Sequence, residues 1–422
     1  MIPSKSFSRS LLNRFNCGSH KFRNCGVKRK PLLSRSIEAR SIDQFHRLSF
    51  SNETIRWRFQ EEGPIDKDDE VRVIFAGAHF HAALPTLQAE LDRRKASVAS
   101  ESKTKTSNIR LVHTPTKEKL YEKGPTADIA IPFMEAFPKD FFAPDITPKL
   151  RLVVQFGVGL EGVDVKEATE RGIAVSNVPA EGTGNAQATS EHAVYLAISL
   201  LRGFPTEDYL SRFPNRSLGG LPIPKTLYQK KVTVVGYGAV GSCLAKYLSA
   251  MGAKVAVVRK TPWETTKNTD DSIFPICKAD SLADVLPKTD VLFLACTLTK
   301  ETKSLINEST IALLPKGALV VNIARGALVD HSSMLSALKS GQIGGFASDV
   351  GIGHPTKPSE PWDPNDEICN LGPNANVLFT PHVGGYCDAS YSIMVQKIAD
   401  SIEHIARGEA PPIWVNKPTR SL

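Results

Sequence analysis

From residue 71 onward the chain falls into short apolar runs separated by longer amphipathic stretches. Val71–Ala76 and Ile109–His113 read as strands, with a helical stretch over Leu84–Lys95 between them. Ala127–Phe133 and Leu150–Phe156 are further apolar runs of strand length. Ser97–Thr106, rich in Ser, Lys and Thr, reads as a polar surface loop. Near-continuous apolar runs alternating with helices are what a parallel sheet covered on both faces requires.

A Pro- and Gly-rich break at Val178–Gly184 precedes a long helix over Asn185–Leu201, placed to cross between two domains. A second alternation starts at Lys231, with strands near 232–236, 254–259, 291–296, 318–323, 345–349 and 376–380. That rhythm matches a dinucleotide-binding fold. The last helix, about Ala389–Arg407, is amphipathic and is expected to return to the first domain. A length of 422 residues makes two domains the default.

Composition changes this picture at one end only. Apolar residues make up 41% and charged residues 23%, the balance of a soluble globular protein, and no apolar run reaches the roughly 20 residues of a membrane span. The net charge of +8 suggests an anionic partner until it is located: residues 1–36 hold nine Lys and Arg and no Asp or Glu, so the rest of the chain carries −1. Neither nucleic acid nor membrane is therefore expected as a partner. A basic, Ser-rich, acid-free start has the composition of an organellar transit peptide. Phe7, Leu11, Leu12 and Phe15 share one helical face, which favours the mitochondrion over the chloroplast. Residues 1 to about 60 are read as a removable targeting or disordered segment with no part in the fold.

Val232 to Gly241 is a strand running into G-x-G-x-x-G at Gly236, Gly238 and Gly241, followed by a helix from Ser242 to Met251. Glycines there allow a tight turn and close backbone approach to a pyrophosphate, which the helix N-terminus, with Ala239 and Val240, would receive. The strand Lys254–Val258 ends in Arg259 and Lys260, where NAD enzymes carry a carboxylate for the ribose 2′-hydroxyl. Arg and Lys there suit a 2′-phosphate, so NADP(H) is expected over NAD(H).

Read in order, Phe156-Gly-Val-Gly-Leu-Glu-Gly-Val-Asp164, the glycine loop, Asn322-Ile-Ala-Arg-Gly-Ala-Leu-Val-Asp330, Asp349-Val350 and Thr380-Pro-His-Val-Gly-Gly385 resemble the D-isomer-specific 2-hydroxy acid dehydrogenase family. The resemblance covers roughly Val71 to Pro412 and points to the glyoxylate/hydroxypyruvate reductases of plant and algal type. It implies an α/β fold of two Rossmann-like domains. A doubly wound, parallel-sheet cofactor domain (179–385) is inserted into a smaller flavodoxin-like substrate domain (70–178 and 386–416), and the chain forms a homodimer.

The roles it implies agree with the chemistry of reducing a 2-oxo acid. Arg325 would hold the carboxylate with a planar fork and polarise the adjacent carbonyl, helped by backbone N–H groups at Val158 and Gly159. His382 would be the general acid. Asp349 would contact the nicotinamide carboxamide, with Thr297, Ala324 and Gly385 along the cofactor. The family's acidic partner of the histidine falls here on His354. Glu360, six residues further on and before Pro361, resembles the displaced Glu-Pro step and is taken as that partner. Glu161 and Asp164 are read as ordinary solvated loop charges, and no metal is expected. Alternatives are a D-3-phosphoglycerate dehydrogenase-like activity, or a non-catalytic dinucleotide-sensing scaffold.

Overall fold

The computed structural model describes residues 55–66, 70–77, 82–101, 108–132, 136–204, 223–263, 276–351, 366–372 and 375–417. They build two parallel sheets. The first holds β1 (Glu70–Ala76), β2 (Asn108–Thr114), β3 (Ile129–Pro132), β4 (Leu152–Val154) and β5 (Ala174–Ser176) in the order β2-β1-β3-β4-β5. The second holds β6 (Lys231–Val235), β7 (Lys254–Val258), β8 (Ile276–Ala279), β9 (Val291–Leu294), β10 (Ala318–Asn322), β11 (Ile343–Ser348) and β12 (Val377–Phe379), in the order β12-β11-β10-β9-β6-β7-β8. The first order is the flavodoxin-like one and the second is doubly wound about β6.

The helices that matter are α1 (Arg58–Glu61), α2 (Ala83–Glu101), α3 (Lys117–Lys123), α4 (Val165–Glu170), α5 (Asn185–Arg202) and α6 (Ala239–Ala250). They continue as α7 (Leu282–Val285), α8 (Glu308–Leu313), α9 (His331–Ser340) and α10 (Asp388–Ala406). Each sheet is covered on both faces, which is why its strands read as apolar runs rather than as alternations. α10 packs with α2 on one face of the first sheet, burying Met394, Val395, Ile398 and Ile402 against Val71, Val73 and Leu152. α5 buries Ala193, Leu196, Ala197 and Leu200 in the core it shares with α6 and with β10 and β11 of the second sheet.

The structure corrects three expectations. Ser97–Thr106 is not all loop, because α2 continues to Glu101. The second sheet has seven strands rather than six: β8, whose residues are half-buried or exposed, is an edge strand lacking the apolar signature. Residues 57–60 also belong to the fold. Trp57 and Phe59 are buried, 3% and 1% exposed, and meet Trp414 edge-on at 4.8 and 5.4 Å. Between them Arg58 donates to the carbonyls of Thr147, Pro148 and Arg171. A helix of four residues is too short to declare itself by periodicity, so this staple left no pattern to read.

Candidate active site

The glycine loop lies at the C-terminal end of β6. Gly236 has φ of +101°, and a Cβ there would fall 2.6 Å from the Ala295 carbonyl oxygen. At Gly241 a Cβ would strike the carbonyl of Gly236, so α6 packs directly on the turn. Gly238 faces open space. α6 begins at Ala239 with no side-chain cap, so the N–H groups of Ala239, Val240 and Gly241 have no intrahelical acceptor and share a positive dipole end. Such a cradle fits the pyrophosphate of a dinucleotide.

Beyond β7 the guanidinium of Arg259 lies 4.0 Å from the Trp263 ring centroid and donates to the Pro262 carbonyl at 2.6 Å. Lys278 of β8 reaches the same ring at 5.3 Å, and Tyr237 of the glycine loop meets it edge-on at 5.4 Å. Lys260 is exposed and pairs loosely with Glu301 at 3.8 Å. Trp263 thus gathers cations beside the glycine loop, a part the sequence reading did not assign to it. An aromatic residue just past the strand end was the available signal.

Three further strand ends complete the cleft. Asn322, buried at the end of β10, accepts from Ala324 N–H at 3.1 Å and donates to the Arg325 carbonyl at 2.9 Å, which fixes the turn that presents Arg325. Ala324 is buried beneath it, and Thr297 lies exposed past the end of β9. The Arg325 side chain donates to the Ala324 carbonyl and forms a two-point pair with Glu161, Nε to Oε1 at 2.6 Å and Nη2 to Oε2 at 3.3 Å. A Cβ on Gly159 would meet both Arg325 Nη2 and Glu161 Oε2, so the glycine lets the pair close against the backbone. Val158 holds its neighbouring loop through Asn177, which donates to its carbonyl at 2.8 Å. Expecting Glu161 to be an ordinary solvated charge was therefore wrong. Packing in the cleft would raise its pKa, but Arg325 outweighs that and holds it below the usual carboxylate value. Asp164 instead caps α4, accepting from Glu167 N–H.

His382 sits on the turn after β12 with φ of +56°, an unfavourable backbone for a non-glycine residue. Asp349, buried past the end of β11, holds that turn. Its Oδ1 accepts from Thr380 Oγ1 at 2.6 Å and Val383 N–H at 2.9 Å, and its Oδ2 from Gly384 N–H at 2.8 Å. His192 of α5 lies 2.9 Å from Thr380 Oγ1 and 3.4 Å from Asp349 Oδ1. His192 lies in no recognised motif and so carries no role in the sequence; its partner Asp349 is 157 residues further on. Gly385 accepts from Asn185 and Ser390, tying the same turn to α5 and α10. The His382 imidazole has its pKa lowered: desolvation and the Arg325 charge outweigh the raising influence of Asp349 and Glu161. Asp349 is lowered as well, since its hydrogen bonds from His192, Thr380 and Gly384 overcome its burial.

Arg325, His382, Asp349, Val158 and Gly159 are thus brought to one cleft lined by the carboxyl ends of strands, beside the glycine loop. Glu360, with His354 and the rest of its segment, lies outside the described residues. His331 pairs with Asp366 at 2.8 Å, and among the described residues no group of His, Cys, Asp and Glu could hold a metal. No described helix is long and apolar enough to cross a membrane.

Residues 194–384 match the family described as D-isomer specific 2-hydroxyacid dehydrogenase, NAD binding domain. The chain is 33% identical over 309 residues to a glyoxylate reductase of Pyrococcus furiosus, covering 71% of this chain and 86% of that one. It is 32% identical over 279 residues to a glyoxylate reductase of Thermococcus kodakarensis, covering 65% and 78%. In fold it resembles D-lactate dehydrogenase from Escherichia coli, with a TM-score of 0.65 at 22% identity over 82% of this chain and 100% of that one.

Proposed function

This chain belongs to the D-isomer-specific 2-hydroxyacid dehydrogenase family, and we propose that it reduces glyoxylate and hydroxypyruvate, with NADPH preferred to NADH. It is a nicotinamide-dinucleotide-dependent enzyme of 2-oxo acid reduction. The observation that carries the proposal is Arg325, held with its fork in a cleft it shares with His382 and the backbone of Gly159.

Arg325 binds the substrate carboxylate at two points and polarises the adjacent carbonyl, while the N–H groups at Val158 and Gly159 take the carboxylate's other side. When bound, the nicotinamide supplies a hydride to C2. The His382 imidazolium gives its proton to the carbonyl oxygen as negative charge develops there. Desolvation and Arg325 lower the His382 pKa, so anions are needed to favour its charged form; Glu360 is our candidate for the added carboxylate, with Asp349 behind the turn. Among the described residues the Asp349 Oδ2 accepts from Gly384 N–H, and a carboxylate oxygen can accept a second bond, here from the nicotinamide carboxamide. Thr297, Ala324 and Gly385 line the cofactor's path. Arg259 and Lys260 take the 2′-phosphate, with Arg259 ordered by Trp263.

The test is initial rates of the full chain with glyoxylate and hydroxypyruvate, each with NADPH and NADH. Turnover with higher efficiency for NADPH supports the proposal; cofactor binding without turnover of either substrate rejects it. Tyr195, Phe204, Tyr228 and Met251, exposed along or beside α5, support a homodimer, which light scattering checks. The basic, acid-free first 36 residues support import into an organelle, the mitochondrion before the chloroplast; a fluorescent fusion that stays cytosolic would refute this.

A further inference from the structure

Glu161 meets Arg325 as a substrate would. A 2-oxo acid must offer Arg325 a planar carboxylate at two points, and Glu161 does so already, through Nε at 2.6 Å and Nη2 at 3.3 Å. The two seats overlap in space as well as in chemistry. The Cα of Gly159 lies against the pair, and a carboxylate that took the same two Arg325 nitrogens would enter the volume that the Glu161 carboxylate fills. Glu161 comes from the loop before α4 and Arg325 from the turn after β10, so the pair bridges the two sheets' strand ends. Both side chains stay accessible from the cleft, 29% exposed for Arg325 and 38% for Glu161, which an exchange from solution requires.

We propose that Glu161 is a resident carboxylate occupying the substrate's seat on Arg325, so that a 2-oxo acid binds by displacing it. The proposal rests on the reading of Arg325 as the carboxylate site. Exchange replaces one anion by another, so Arg325 is never left in the cleft without a counter-charge. It also selects by charge: a neutral aldehyde or ketone offers nothing with which to displace Glu161, whereas a 2-oxo acid does. The Arg325 pairing holds the Glu161 pKa down, so the competitor stays ionised through the neutral range. A partly exposed pair of this kind opposes entry only modestly, by a factor of about three to five in affinity.

The test uses the full chain saturated with NADPH, with oxamate as an unreactive carboxylate probe and glyoxylate as substrate. Glu161→Gln removes the charge in nearly the same shape, and Glu161→Asp keeps the charge but shortens its reach. Both are expected to bind oxamate about three- to fivefold more tightly and to lower the KM for glyoxylate, more so for Gln. A residue that merely braces Arg325 would do the opposite, and weaker or unchanged oxamate binding in both variants overturns the proposal. NADPH affinity, which does not involve Arg325, reports that each variant is folded. Arg325→Gln separates the two levels of failure. If it leaves oxamate binding intact, the carboxylate-site reading itself is wrong. If it abolishes binding while the Glu161 variants bind no tighter, only the exchange is wrong.

Discussion

Removing residues 1–60 should cripple the protein, whereas removing residues 1–51 should not. The first cut deletes Trp57 and Phe59, which fill the core around Trp414, and Arg58, whose guanidinium donates to the carbonyls of Thr147, Pro148 and Arg171. Truncating a buried Phe or Trp costs about 3–5 kcal/mol. The two rings share Trp414 as a neighbour, so their losses do not simply add, and about 5 kcal/mol is a conservative figure for the pair. That approaches the whole of a marginal domain stability, about 5–15 kcal/mol. At about 2–4 °C per kcal/mol it lowers Tm by about 10 °C or more. Thermal melts of chains beginning at Asn52 and at Glu61 provide the comparison, with the full-length double variant Trp57→Ala/Phe59→Ala as the control if the shorter chain does not express. Equal Tm values for the two truncations, together with an unshifted double variant, would falsify the claim that this segment belongs to the core.

Other expectations follow from the cleft. Arg259→Ala removes a charge-assisted contact worth about 1.5–3 kcal/mol, so kcat/KM with NADPH should fall about 10- to 100-fold while that with NADH changes little; equal losses with both cofactors would remove Arg259 from 2′-phosphate recognition. His192→Ala should lower kcat by about tenfold without weakening NADPH binding, because Thr380 and Asp349 lose the partner that helps fix the His382 turn; a variant with normal kcat and an unshifted pH profile would show that the turn holds without it. Desolvation and Arg325 lower the His382 pKa from its ordinary 6.5 in the free enzyme, and reduction needs the protonated form. On that basis kcat/KM for glyoxylate should rise on acidification and fall as pH increases; a rate that climbs with pH contradicts it.

Much of this site was legible in the chain because its chemistry is carried by local patterns. The strand-glycine-helix run at Val232–Gly241 identifies the phosphate cradle, since turn, close approach and helix start are decided within ten residues. Arg325 and His382 were singled out by the resemblance of their motifs, Asn322–Asp330 and Thr380–Gly385, and strand ends, where parallel sheets place ligand-binding groups, agree with that choice. Partners distant along the chain could not be read. Glu161 meets Arg325 across 164 residues, and His192 meets Asp349 only because α5 packs over the sheet that ends in Asp349. As isolated letters, Glu161 is one more loop carboxylate and His192 one more helical histidine. Trp57 and Phe59 were lost against a basic, polar N-terminal stretch for the same reason: their burial depends on Trp414, at the other end of the chain. The sequence by itself determined the fold class and the glycine turn that marks a dinucleotide-binding strand end, because periodicity and turn chemistry act over a few residues. Only the tertiary structure decided which charges face one another and what backbone strain holds His382 in place, because electrostatics and packing depend on distance in space and not on distance along the chain.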